Sequence, residues 1–389
     1  MTTISLRDSL LGLLNRPDRD LLKKDKLREF LSLVDVNSEF ATQVDSTGMG
    51  QFRKIQPALE YMAGKLSGSE KGIVSVAPGV YEENVVMPRN VGLVGAGGFG
   101  PSAFCSITSP SGDTMKVPGW DSLVYGMSVY TTSSTATDSA VRLYDDGDPA
   151  GFDGTFMVNF LMSGLNGARS YTGDPVSGAQ VIAIYGGTDS FGAPPIGMFV
   201  EGSGLFWLLG GGGSDGAVGI HIENGGQVFI GAGVSIGADP AAGLVVECDG
   251  GFFAGLDVRI DDGHDGIKAV NGSTVFLGTA VGLGGLAGVP VETDAGSFLV
   301  TGNVQLEPLG GAPLANWNIA GPWIPMFTTS QGVGGTGVGG GPDQRPTSAP
   351  LGYRFYARDR DPAGNPGTGT WLTKDSLGQW KTSTDVVIP

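Results

Sequence analysis

The sequence predicts a right-handed parallel β-helix, and three observations carry that prediction. Residues 197–306 repeat with a period of 22 to 24. Within each repeat, apolar residues alternate with period two, the signature of short strands with one buried face. Across the whole chain, 68 of 389 residues are glycine and only 16% are charged, a composition suited to short strands joined by frequent tight corners.

The repeat is anchored on Gly197, Gly219, Gly243, Gly266 and Gly288, spaced by 22, 24, 23 and 22 residues. One position later stand Met198, Ile220, Leu244, Ile267 and Val289; three positions later stand Val200, Ile222, Val246, Ala269 and Val291. Alternation places both sets on one face of a strand. Ten positions after each glycine comes an aromatic, Trp207, Phe229, Phe253, Phe276 and Phe298, expected to form a column five deep. Val234, Val258, Val281 and Val304 follow, then Ile236, Ile260, Leu283 and Leu306, the last set needing a one-residue insertion after Leu299. A single rung of three short strands cannot bury its own apolar face. Stacking rungs about 4.8 Å apart pairs each strand with those above and below and aligns like side chains into columns. Residues 70–310 have room for about ten rungs, a rod roughly 50 Å long.

The remaining chain divides around this solenoid. Residues 1–44 carry Leu6, Leu10, Leu13 and Leu14, then Leu27, Phe30, Leu31 and Val34, at helical spacing, with Pro17 and Asp18 between them. Lys23, Lys24, Lys26 and Arg28 make this segment basic. It either caps the first rung or attaches the chain to another protein. Residues 45–310 form the β-helix. Residues 311–344 are a linker, glycine-rich over 331–341. Residues 345–389 predict a small module of two or three antiparallel strands with exposed aromatics. Asp145–Pro149 and Asp189–Pro195 read as loops protruding from corners.

Charge and motifs exclude several function classes. Asp and Glu number 39 against 23 Lys and Arg, a net charge of −16. Nucleic acid and anionic membrane surfaces both need a positive partner, so neither is expected; the acidity favours solubility, or contact with basic or uncharged polar partners such as sugars. Cys105 and Cys248 are too few for a disulfide framework. There is no basic and then apolar leader and no apolar run of about 20 residues, so neither a secretory signal nor membrane insertion is expected. His221 and His264 alone do not make a multi-histidine zinc site. No phosphate-binding loop or Gly-x-Ser-x-Gly elbow occurs, and no cofactor is expected.

Three acidic groupings are candidates for chemistry. Glu201, Glu223, Glu247 and Glu292 stand four residues after the repeat glycines, with Val270 interrupting the series. Alternation turns them outward, about 5 Å apart on successive rungs, close to the spacing of a retaining glycosidase. Glu223 and Glu247 are then the acid and nucleophile, with Glu201 and Glu292 as binding residues. The competing reading is a solvated acidic stripe, or one that holds a cation or a basic partner. Asp257, Asp261, Asp262, His264 and Asp265 form either a corner turn or an acid/base or calcium site. Asp145, Asp146, Asp148 and Asp153 lack EF-hand spacing and read as a loop.

Two stretches resemble known families. Asp45–Gly97 contains Phe52–Leu59, Ile73–Val76, Pro78-Gly79-Val80-Tyr81-Glu82-Glu83-Asn84-Val85 and Val91–Gly97, and resembles the opening of a pectin-lyase-like β-helix. The resemblance implies a short helix capping the solenoid and a PG-x-Y-x-E-x-V turn joining the first rungs. It does not imply an activity, because that superfamily includes lyases, hydrolases, esterases and phage tail spikes; the Asp, Arg and Lys motifs of its enzymes find no match here. Arg345 through Trp380 resembles a short module at the ends of many phage structural proteins, with Tyr353, Trp371 and Trp380 as binding candidates. Together the resemblances imply a tailed-phage virion protein, a homotrimeric tail spike or fibre on the particle surface. It would be made in the host cytoplasm, attach to other virion proteins through residues 1–44 and engage a host surface polysaccharide. A capsid decoration or head fibre protein without enzymatic activity, and a polysaccharide-degrading glycosidase or lyase, remain alternatives.

Overall fold

The computed structural model describes residues 41–95, 105–119, 121–144, 154–164, 168–173, 180–190, 195–202, 205–212, 216–278, 281–302, 304–307, 318–325, 336–337, 354–357, 370–374 and most of 379–388. These residues form a parallel β-helix in which each turn lends one strand to each of three ribbons. The first ribbon includes Gly72–Val76, Val91–Gly95, Ser122–Tyr125, Thr155–Val158, Thr274–Leu277 and Phe298–Thr301. The second includes Gly79–Glu82, Cys105–Ser109, Met127–Thr131, Leu161–Gly164 and Val281–Gly284. Long bent strands such as Gln227–Ile236 and Phe252–Ile260 serve both, so the two ribbons merge into one 19-stranded sheet. The third ribbon is a separate sheet of ten strands, from Val85–Val86 to Asn318–Ile319.

Alternation sets the core. In the third ribbon Tyr171, Met198, Ile220, Val246, Ile267 and Val291 pair in register and all are buried. In the first ribbon Val74, Leu93, Val124, Met157, Ala183, Leu208 and Ile230 do the same. Each fully buried Val, Leu or Ile contributes about 1.5–3 kcal/mol, and the parallel ladder satisfies the backbone groups that this burial removes from water. The corner after the third ribbon needs a left-handed residue. Gly202, Asn224, Gly250 and Asn271 hold φ between 52° and 66° there, and glycine and asparagine reach that region at least cost.

The Pro78–Val85 turn locks the capping helix Ile55–Lys65 onto the end of the solenoid. Ile55, Ala58, Leu59 and Met62 form the buried stripe of that helix. Lys54 provides no side-chain cap; instead the Glu83 carboxylate accepts hydrogen bonds from the Ile55 N–H at 2.8 Å and the Gln56 N–H at 3.0 Å. Tyr81 is buried and donates its hydroxyl to the Ala77 carbonyl at 2.8 Å, and Val85 enters the core.

Several expectations are corrected. The solenoid starts before residue 45, because Ala41–Val44 pairs with Ile73–Val76. It continues beyond 310, through Asn318–Ile319, Trp323–Pro325 and Thr336–Gly337. The terminal module has four antiparallel strands, not two or three. Trp380 is 8% exposed and packs inward with Leu372, so it is core rather than an exposed binding aromatic. The five aromatics do not make one column: Trp207, Phe229 and Phe276 share an outward column with Ala254, whereas Phe253 points inward. Phe298 lies in the neighbouring column with Phe252 and Thr274. Residues 1–40, Tyr353 and the Asp145, Asp146, Asp148 and Asp153 loop lie outside the described residues, as does the side chain of Trp371.

Replacing Glu83 with Ala removes a charged N-terminal cap and is expected to cost about 1–2 kcal/mol, read as a lower midpoint of thermal or urea unfolding. Glu83→Gln, which keeps one acceptor oxygen, loses less; equal stability in all three proteins would contradict the capping role.

Candidate functional site on the outer face of the third ribbon

The outward side chains of the third ribbon bring polar groups together through register. One column runs Phe199, His221, Glu247, Lys268, Glu292 and Asn318. The next runs Glu201, Glu223, Asp249 and Val270. The four glutamates therefore do not share a column. Glu201 faces Glu223, but Glu223 faces Asp249, while Glu247 stands beside His221. The reason is corner length: residues 237–243 separate Ile236 from Leu244, against 261–264 between Ile260 and Asp265. Gly243 lies inside its corner, bonded to the Asp239 carbonyl, and Gly288 lies inside another, bonded to the His264 carbonyl. Counting from these two glycines runs two residues out of step.

His221 joins the two glutamates singled out by sequence. Its Nδ1 is 2.9 Å from Glu247 Oε2 and its Nε2 is 3.1 Å from Glu223 Oε2. Two carboxylate acceptors satisfy both ring nitrogens only when both carry protons, so the geometry selects the imidazolium. Burial of the ring opposes the charge, but the hydrogen bonds that the ring donates to Glu247 and Glu223 outweigh it and raise the His221 pKa above its ordinary value. The hydrogen bond from His221 in turn lowers the Glu247 pKa against the opposing effect of its own burial, with Lys268 Nζ at 3.6 Å adding to the lowering. Phe199 stacks on the imidazole at 5.5 Å with planes 12° apart, and the Arg169 guanidinium lies 4.2 Å over the Phe199 ring. At the far end of the column Asn318 Nδ2 donates to Glu292 at 3.0 Å.

This arrangement aims one N–H of a protonated His221 at each of two carboxylate groups. A retaining glycosidase needs a carboxylic acid whose pKa is raised, and Glu247 is shifted the opposite way. His221 is the group that carries a proton to donate. Sequence reasoning weighed His221 only as a zinc ligand and missed Phe199, Arg169 and Lys268. The left-handed corner residues Gly202, Asn224, Gly250 and Asn271 were the available signal, because counting back from them gives the observed register.

The second acidic grouping serves a corner. Asp261 is buried, accepts from Ser235 Oγ at 3.0 Å and pairs with Arg259. Asp257 and Asp262 hold left-handed backbone, and Asp265 accepts from the Val289 N–H at 2.7 Å. Among the described residues no helix is long and apolar enough to cross a membrane.

Ribbons, columns and corners together define a parallel β-helix. No family model matches the chain. A stretch of 87 residues, 22% of the chain, is 32% identical to "Putative pectinesterase 11" of Arabidopsis thaliana. That stretch spans 25% of the relative's length. Among solved structures, pectin methylesterase from carrot shares 12% identity over 74% of this chain and 88% of its own, with a TM-score of 0.42. Tailspike protein 3 of bacteriophage CBA120 shares 12% identity over 93% of this chain and 71% of its own, with a TM-score of 0.25.

Stability should depend on pH through the bridge. A raised His221 pKa means that its contribution is complete below the unfolded value near 6.5 and is lost as pH rises through the folded value. A lowered Glu247 pKa means that its contribution is present above the unfolded value near 4.5 and is lost as pH falls through the folded value. The unfolding midpoint is therefore expected to be highest between about pH 5 and 6.5 and to fall on the alkaline side. His221→Asn should flatten that alkaline fall; an unchanged profile in the variant would show that the bridge contributes nothing.

Proposed function

We propose that this chain is a structural protein of a tailed-phage particle, of tail spike or fibre type, displayed as a homotrimer and engaging a glycan of the host surface. The observation that carries this reading is continuity. Parallel pairing runs from Ala41 to Gly337, and a separate antiparallel module follows from Arg354. The result is a stiff rod with chemically different ends. The leucine pattern and basic cluster of residues 1–34 suit an attachment segment at one end, joining other virion proteins. The module at the other end resembles those of phage structural proteins and supplies Tyr353 and Trp371 as binding candidates. The polar groups of the third ribbon support a scaffold role, since His221, Glu223, Glu247 and Lys268 already partner one another. A capsid decoration or head fibre has the same architecture at another place on the particle.

One observation favours a second reading, a polysaccharide-degrading enzyme. His221 between Glu223 and Glu247 is a proton-bearing group flanked by carboxylates on an open sheet face, and the local likeness to a plant pectinesterase points to the same substrate class. In that reading His221 donates the proton, Glu247 acts as nucleophile or base, Glu223 holds His221, and Glu201 and Glu292 line the groove.

Antibody labelling of intact particles in the electron microscope is expected to place the protein on the tail; label on the head capsid selects the decoration reading, and unlabelled particles contradict a virion role. Incubation with host surface polysaccharide is expected to release no reducing ends. Release that disappears in Glu223→Gln and Glu247→Gln would replace the first reading with the second.

A further inference from the structure

We propose that copies of this chain associate through the outer face of the first ribbon between Leu205 and Val300; this rests on the homotrimer reading above and names the surface that makes it. Parallel register places Ile73, Leu123, Phe156, Ile182, Trp207, Phe229, Phe276 and Val300 in one outward column. The residues that alternate with them form the inward column of the core. An outward column should be polar where water meets it, and this one is apolar along its length.

The N-terminal half of the column is already covered within the single chain. Leu123 and Phe156 are 1% exposed and Ile182 is 6% exposed. From Trp207 onward the cover thins: Trp207, Phe229, Phe276 and Val300 are half-buried, with the buried Ala254 between Phe229 and Phe276. Leu256 and Phe298, which flank the column, are 43% and 44% exposed. Large apolar side chains left exposed on both sides of a partly covered apolar column mark a candidate interaction site. The stripe crosses five strands, about 19 Å along the rod axis, and so fits a partner that lies alongside the rod.

Charge selects a second copy as that partner. Every outward position of this ribbon from Leu205 to Val300 is uncharged, in a chain of net charge −16. Two such chains repel over most of their surfaces, and an uncharged face is where they approach at least electrostatic cost. The third ribbon, with its Glu, Lys and His ladder, offers no such approach. Ring orientation argues against a sugar as occupant. Trp207 and Phe229 stack on each other at 4.2 Å with planes 14° apart, so their faces are taken by the neighbouring rung. Stacking on a sugar needs an open ring face.

The test is the mass of the full chain by sedimentation equilibrium at micromolar concentration and physiological salt. The native protein is expected at three times its 39.8 kDa chain mass, and the Leu256→Lys/Phe298→Lys variant at the monomer mass with an unchanged far-ultraviolet spectrum. A native trimer with an equally trimeric variant would overturn this face and leave the trimer standing. A native monomer would overturn both. Leu256→Cys covers the case in which the double variant misfolds, because Cys105 and Cys248 are both fully buried. Mild oxidation should link chains through position 256 and should not do so through Lys268→Cys on the third ribbon; the reverse pattern overturns the assignment. Loss of glycan binding in the double variant without a change of mass would also overturn it, in favour of a ligand platform.

Discussion

Parallel pairing of each strand with its counterparts one turn before and one turn after is the constraint on which everything else in this molecule depends. It fixes which side chain stands beside which, and it does so for all three ribbons at once. A one-residue slip would turn every core residue outward, so burial of Met198, Ile220, Val246, Ile267 and Val291 in one column holds the register against that error. A two-residue slip keeps the alternation and is resisted only by corner geometry. The left-handed residues Gly202, Asn224, Gly250 and Asn271 supply that second restraint, one at each turn.

The same register assembles the polar ladder and the apolar stripe. His221 meets Glu223 along its own strand and Glu247 on the next rung, an arrangement that needs both the outward alternation and the observed pairing of His221 with Glu247. The ladder is a chain of contacts: a guanidinium on a phenyl ring, a phenyl ring on an imidazolium, carboxylates on both nitrogens and an ammonium beyond. The third ribbon carries an outward charged ladder, while the first ribbon carries an outward apolar column. One solenoid thus offers two chemically distinct sides with a shared core.

The fold was legible because period-two alternation survives variation in corner length. Strand faces, the capping helix and the Pro78–Val85 turn could all be read from residue pattern. The site was only partly legible. The outward positions of Glu201, Glu223, Glu247 and Glu292 followed from alternation, but their mutual distances did not. Alternation is blind to a shift of two, and Gly243 and Gly288 lie within corners rather than at the heads of strands. The aromatic column failed at two points: Phe298 lies two residues from the column, a shift to which alternation is blind, whereas Phe253 lies one residue from it and points inward, with Ala254 in its place. Trp380 read as exposed because a short strand gives too few residues to show which face is buried.

The register is tested most directly by distances between spin labels along the third ribbon. The column Lys116, Arg142, Thr172, Phe199, His221, Glu247, Lys268, Glu292, Asn318 advances one rung at each step. Cys105 and Cys248 are buried and should not take label. Labels at Lys116 and Lys268, six rungs apart, are predicted to give one narrow distance near 29 Å, growing to about 38 Å when the second label moves to Asn318. Broad distributions, or a separation that does not grow by about 4.8 Å per rung, would contradict the account.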